Sequence, residues 1–79
     1  MAFHITIHKT AETPATVRYS FESAAQGRGL LELDKQSGQA TLVEAMPQDD
    51  RQHCYQRAVV TVTREWKAGR LPQTLEWAS

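Results

Sequence analysis

Hydrophobic and polar residues alternate along the first quarter of the chain, which is the pattern of half-buried β-strands. In the first segment every second residue is large and apolar: Phe3, Ile5 and Ile7. A second run repeats this alternation with Val17, Tyr19 and Phe21. These patterns predict strands near residues 3–9 and 15–23, joined by a KTAETP loop that Pro14 ends.

Residues 29–46 predict a β-hairpin, with strands near residues 29–35 and 39–46. The KQSG loop suits a type I turn in which Gly38 adopts the left-handed conformation. In that register Leu33 lies opposite Thr41 and Leu31 opposite Val43, so the apolar residues share a face.

The hairpin register decides which apolar residues the sheet leaves outside. A two-residue loop would instead pair Leu31 with Glu44, and a slip of one residue moves a whole strand to the other face. The preferred register leaves Leu30 and Leu42 on the outer face of the sheet. Both are therefore candidate contacts for a partner.

Residues 49–69 carry helix signals at both ends, although their centre is rich in β-branched residues. Asp49 and Gln52 have the spacing of a capping box, and Gly69 is placed as a C-terminal cap. Apolar residues recur at spacings of three and four: Tyr55, Ala58, Val59, Val62 and Trp66. The β-branched residues 59–63 cost about 2–3 kcal/mol in a helix. Burial of the apolar face offsets this cost, at about 1.5–3 kcal/mol for each large side chain.

The elements together predict one small α+β domain over residues 1–79. It is a two-layer, four-stranded antiparallel meander (ββββα) whose C-terminal helix packs on one sheet face. Residues 70–79 form a tail in which Leu75 and Trp77 are apolar. Trp77 is expected to dock on the sheet edge or to anchor a partner, since Trp is over-represented at binding hot spots.

The chain has only 79 residues, so it can bury only about 60–65% of the surface that its unfolded form exposes. Its one cysteine cannot form a disulfide within the chain. Self-association, as a homodimer for example, would add apolar burial. The start of the chain lacks the pattern of a signal peptide, and no apolar run approaches the roughly 20 residues that span a bilayer. These features predict a soluble cytoplasmic protein with no membrane association.

Histidines and acidic residues on the outer sheet face are the candidate chemistry. His4 and His8 lie about 13 Å apart along a strand, too far to share one zinc ion. A catalytic site would need one of them beside a carboxylate in a concave site: Glu32, Asp34 or Glu44. His53 and Cys54 are neighbours on a helix and do not face each other. The sequence therefore predicts no catalytic residue, metal or cofactor.

The outer side of the helix is basic, with Arg57, Arg64 and Lys67 on it together with Val60. Nine basic residues balance nine acidic ones, which disfavours nucleic acid as the main partner. We expect a small binding or regulatory module that acts through protein contacts. One alternative is a nucleic-acid-binding module that uses the basic helix face. A second is a small-ligand or catalytic role on the polar outer face of the sheet.

Overall fold

The computed structural model describes residues 4–78, which form five strands and one helix. The strands belong to one antiparallel sheet, and the helix lies between the fourth and fifth strands in chain order. The elements are β1 His4–Glu12, β2 Thr16–Ser23, β3 Gly27–Asp34, β4 Ala40–Glu44, α1 His53–Lys67 and β5 Thr74–Ala78. The fold is therefore α+β, as the sequence predicts.

The predicted four strands are wrong in number, because the tail forms a fifth strand. β5 pairs antiparallel with β1, and it places Trp77 opposite Ile5 and Leu75 opposite Ile7. The sheet order is β4-β3-β2-β1-β5, so the predicted meander of the first four strands is confirmed. The helix is not the last element, and residues 70–73 turn the chain back onto the far edge of the sheet.

The predicted loop between the first two strands is mostly strand. β1 continues to Glu12, with a register shift between Lys9 and Ala11. The chain reverses at Thr13, whose backbone N–H donates to the Thr16 carbonyl at 2.8 Å. The Thr13 hydroxyl accepts the Thr16 amide at 2.9 Å. These hydrogen bonds allow a tight turn and therefore a longer hairpin.

The predicted register of the second hairpin is wrong by one residue. Leu31 lies opposite Leu42, and Leu33 lies opposite Ala40, so Leu42 is on the core side of the sheet. The cause is a longer loop, closed by the Gly38 amide donating to the Asp34 carbonyl at 2.8 Å.

Asp34 also stabilises this longer loop through its side chain. The carboxylate accepts the Gln36 amide at 2.8 Å and the Ser37 amide at 3.2 Å. Sequence spacing alone does not reveal these hydrogen bonds, which favour four loop residues over three.

The helix covers the inner face of the sheet, as predicted, and packs over β1, β2, β3 and β5. Residues 58–66 are helical despite their β-branched centre. The core between the two layers contains these buried residues: Ile5, Ile7, Val17, Tyr19, Phe21, Leu31, Leu33, Met46, Cys54, Ala58 and Val62.

The helix begins at His53, four residues later than predicted. Residues 49–52 form a turn instead, and Gln52 has a left-handed backbone with φ 58°. The buried Asp49 carboxylate still caps the helix, because it accepts the amides of Cys54 and Tyr55, each at 3.1 Å. A carboxylate at this end also suits the helix dipole.

The end of the helix matches the prediction that Gly69 is its cap. Gly69 has a φ of 81°, and its amide donates to the Trp66 carbonyl at 3.0 Å. The Arg70 amide donates to the Glu65 carbonyl at 2.9 Å, which completes a Schellman motif.

Trp66 joins the last turn of the helix to the β3–β4 loop. Its indole N–H donates to the Lys35 carbonyl at 2.8 Å, and its ring packs against Gly38. On the other side of the helix end, the buried Tyr19 hydroxyl donates to the Pro72 carbonyl at 2.7 Å. These two hydrogen bonds hold both sides of the helix C-terminus against the sheet.

Replacing Gly38 with alanine should destabilise the protein more than the same change at Gly69. Both glycines have positive φ, so each change carries the backbone cost of about 1–2 kcal/mol. At Gly38 the added Cβ also overlaps the Trp66 ring, whereas nothing lies near Gly69. We expect Gly38→Ala to lose about 1–3 kcal/mol more of unfolding free energy in urea denaturation. Equal losses in the two variants would show that the Trp66 packing contributes little.

Candidate docking surface on the helix

The outer sheet face does not assemble the histidine and carboxylate residues considered for catalysis. His8, Ser20, Leu30 and Glu44 form one row across β1 to β4. His8 and Glu44 are three strands apart in this row, which is about 14 Å at the usual strand spacing.

The other residues of that group have different neighbours. Glu32 accepts from the Arg18 guanidinium at 2.8 Å, and Asp34 is engaged in the hairpin loop. His4 lies 3.7 Å from Glu76 on β5. Within residues 4–78, no three His, Cys, Asp or Glu side chains come close enough to hold a metal ion.

Cys54 is buried in the core, where it packs as a small side chain. Its thiol donates to the Gln26 side-chain oxygen at 3.0 Å. Burial, together with the nearby Asp49 carboxylate, raises the pKa of the Cys54 thiol to about 11. The thiol is therefore protonated at neutral pH, which disfavours a role as a nucleophile.

The exposed side of the helix carries a line of residues that we name the outer stripe: Arg57, Val60, Arg64 and Lys67. Their spacings of three and four residues place them on one face. No carboxylate of residues 4–78 lies within 4.0 Å of these three cations. The Arg57 guanidinium lies 5.1 Å from the centre of the Trp77 ring, within the range of a cation–π interaction.

Beside the outer stripe lies a shallow depression of about 420 Å³ on the flank of the helix. Its lining consists of Val59, Val60, Thr63, Arg64 and Lys67. Thr63 and Val59 precede Trp66 by three and seven residues, so they share its side of the helix. All five lining residues belong to the helix, so the depression lies on its exposed side. The depression therefore combines an apolar floor with two cations on its rim.

The three apolar residues predicted as partner contacts do not form one surface. Leu30 is partly buried on the outer face of the sheet, and Leu42 is partly buried on the core side. Trp77 lies on β5 at the opposite edge, partly buried against the core and beside Arg57. The basic residues Arg57, Arg64 and Lys67 do share one face, as their spacing predicts.

Sequence reasoning missed the importance of Val60. It is 50% exposed, and Val43 on β4 is 42% exposed; both are large apolar residues in the described part of the chain. The available signal was its position among the basic residues, at i+3 from Arg57 and i−4 from Arg64. An exposed apolar side chain at that position does not contribute to the solubility of the helix.

An ion-pair cluster lies at the end of the helix, near Trp66 and Leu71. The Glu12 carboxylate accepts from the Lys35 ammonium at 2.6 Å and from the Lys9 ammonium at 2.7 Å. These two hydrogen bonds lower the pKa of Glu12 from 4.5 to about 2, and the hydrogen bond from Lys35 has the larger effect. The cluster links β1 to the β3–β4 loop and leaves both lysines engaged.

Replacing Lys35 with methionine should raise the pKa of Glu12 towards 4.5, because it removes the largest cause of the lowered value. Because the pKa of Glu12 is lower in the folded protein than in the unfolded chain, the ionised Glu12 carboxylate stabilises the fold above pH 4.5. This contribution is lost as the pH falls towards 2. NMR titration of the Glu12 carboxyl carbon measures the change. Lys67→Met, on the outer stripe, should leave the titration unchanged. A wild-type midpoint near 4.5 would contradict the ion-pair geometry.

No helix within residues 4–78 is long and apolar enough to cross a membrane. Comparisons with protein-family models, with curated proteins and with solved structures found no match. Among the surfaces of residues 4–78, the outer stripe and its depression combine exposed apolar area with positive charge that no carboxylate within 4.0 Å neutralises.

Proposed function

We propose that this protein is a small protein-binding module that docks an acidic, partly apolar segment of a partner on the outer stripe and its depression. The observation that supports this proposal is Val60, which is 50% exposed and lies between Arg57 and Arg64 on the helix. Exposed apolar area surrounded by cations suits a partner that supplies both apolar and acidic side chains.

The same surface suits nucleic acid less well. Phosphate groups are bound by cations, and an apolar valine adds nothing to such contacts. Arg57 is also stacked against Trp77, which leaves Arg64 and Lys67 as the most available cations. The stripe runs from Arg57 to Lys67, which is about 15 Å along the helix. A protein segment of a few residues matches this length.

The depression can supply moderate binding energy. Val60 is already half covered, so complete burial adds about 1 kcal/mol. An ion pair with Arg64 or Lys67, both of which are exposed, adds about 0.2–1 kcal/mol each. Such a site favours a reversible, regulatory contact over a permanent complex. A cytoplasmic location is part of the proposal, because it keeps the single thiol of Cys54 reduced.

Replacing Val60 with serine should release the partner, whereas the same kind of change at Leu30 should not. Serine and valine have similar helix propensities, so Val60→Ser leaves the helix intact. The measurement is quantitative mass spectrometry of proteins recovered from lysate of the source cells after nuclease treatment. We expect a partner to be depleted about tenfold by Val60→Ser and by Arg64→Gln, and to be retained by Leu30→Ser.

Two other results would contradict the proposal. Nucleic acid recovered without nuclease, lost with Arg64→Gln but kept with Val60→Ser, would identify a phosphate-binding face instead. Loss with Leu30→Ser alone would move the docking surface to the outer face of the sheet. Each variant is compared only after its thermal unfolding midpoint has been matched to that of the wild type.

A further inference from the structure

We propose that the partner segment is an acidic amphipathic helix that packs antiparallel to α1 on the outer stripe and its depression. This inference rests on the proposed function and adds the conformation, the direction and the charge pattern of the segment. The ligand class is a peptide helix of about three turns, which matches the 15 Å length of the stripe. Its apolar residues form one face, and its acidic residues lie towards its N-terminal end.

The depression presents side chains but no free strand edge. All the residues that line it belong to α1, and the backbone groups inside a helix are hydrogen-bonded to one another. An extended peptide on this surface would place its own N–H and C=O groups over valine side chains, without partners for them. A helix satisfies its backbone internally, so it can press apolar side chains into the depression without that cost.

The spacing of the exposed residues also suits a second helix. Val60, Thr63 and Lys67 follow one another at three and four residues, which is the spacing of a seam between two packed helices. Val60 is 50% exposed and Thr63 is partly exposed, so the floor of the seam is open. Side chains at the same spacing on a partner helix fit such a surface as ridges into a groove.

The charges of α1 specify acidic residues in the partner. Arg57, Arg64 and Lys67 are exposed, and no carboxylate of residues 4–78 lies within 4.0 Å of them. Glu65 is the one acidic residue of α1, and it pairs with Arg70 at 2.8 Å. Aspartate or glutamate residues beside the apolar face of the partner therefore complement the charge of the outer stripe.

The position of the cations along α1 sets the direction of the partner. Arg64 and Lys67 lie in the last turn of α1, near the negative end of its dipole. Arg57, nearer the start of α1, is already stacked on the Trp77 ring. Acidic residues are most favourable in the first turn of a helix, near the positive end of its dipole. Both preferences are met when the N-terminal turn of the partner lies beside the C-terminal turn of α1, which makes the helices antiparallel.

A second copy of α1 fits this face less well than an acidic helix does. In an antiparallel pair centred on Val60, each Arg64 would lie opposite Gln56. Each Lys67 would lie opposite His53. None of the exposed residues of α1 is acidic, so a second copy would add cations to the face without neutralising those already there.

The test begins with a phage-displayed library of random peptides of about sixteen residues, long enough for about 24 Å of helix. The whole wild-type protein is the bait. Dissociation constants of the enriched peptides, made synthetically, are measured for the wild type and for Val60→Ser, Arg64→Gln, Val43→Ser and Arg28→Gln. The last two are matched controls, because Val43 is 42% exposed on β4 and Arg28 is exposed on β3. Urea denaturation first confirms that all four variants are folded.

We expect the enriched peptides to carry apolar residues at spacings of three and four and acidic residues near their N-terminal ends. They should bind Val60→Ser about fivefold more weakly than the wild type, because the valine contact is lost. Binding to Arg64→Gln should be about two- to fivefold weaker, and this loss should shrink as salt is added. Both controls should bind like the wild type.

NMR of a ¹³C-labelled peptide tests its conformation and direction in the complex. The Cα chemical shifts of the bound peptide should be those of a helix over about ten residues. A nitroxide label at the N-terminal end of the peptide should broaden the amide signal of Lys67 more than that of His53. These two amides are about 21 Å apart along α1, so the label distinguishes the two directions.

An extended bound peptide that depends on Val60 and Arg64 would overturn the helical mode and keep the proposed function. Stronger broadening at His53 would overturn the antiparallel arrangement, and the inference with it. Peptides that bind Val60→Ser and Arg64→Gln like the wild type would overturn both the inference and the proposed function.

Two further results would also overturn the inference. The first is the enrichment of no peptide, because a surface that fits a helix of three turns should capture some members of such a library. The second is self-association, which sedimentation of the wild type at increasing concentration measures. A dimer that Val60→Ser abolishes and Val43→Ser preserves would show that α1 packs on a second copy of itself.

Discussion

Burial of one sheet face under a single helix is the constraint on which the rest of the structure depends. The helix contains a β-branched centre, residues 59–63, and would be weak in isolation. The sheet in turn would expose its large apolar residues to water without the helix. Each layer therefore needs the other to be stable. The Asp49 cap, the Trp66 indole and the Tyr19 hydroxyl fix the helix in place at its two ends.

The packing of a single helix on one face of the sheet determines which surfaces remain exposed to a partner. One helix can cover about two or three strands at the usual 10 Å packing width. The helix here lies nearer to β5, β1 and β2, and the β4 margin is left thinly covered. The outer stripe faces solvent along the same helix. The candidate site thus lies on the side of the helix that faces away from the sheet.

The fold was predictable to the extent that its patterns are local. Alternation in β1 and β2, the helical spacing from Tyr55 to Trp66 and the Gly69 cap all depend on neighbours in sequence. The sequence did not predict the fifth strand, because a segment of five residues with two large apolar positions is equally compatible with a strand and with a docked tail. The hairpin register depended on hydrogen bonds from the Asp34 carboxylate. The basic face was predictable, whereas the value of Val60 depended on its exposure beside the depression.

The pairing of β1 with β5 has a consequence for synthesis of the protein on the ribosome. β1 is made before its partner at the sheet edge, with roughly 60 residues between them. At translation rates of about 5–20 residues per second, this interval lasts about 3–12 seconds. Throughout that time the chain holds a strand edge that is rich in isoleucine and open to other chains. The β1 edge is thus open to aggregation or to chaperone binding until residues 74–78 emerge and pair with it.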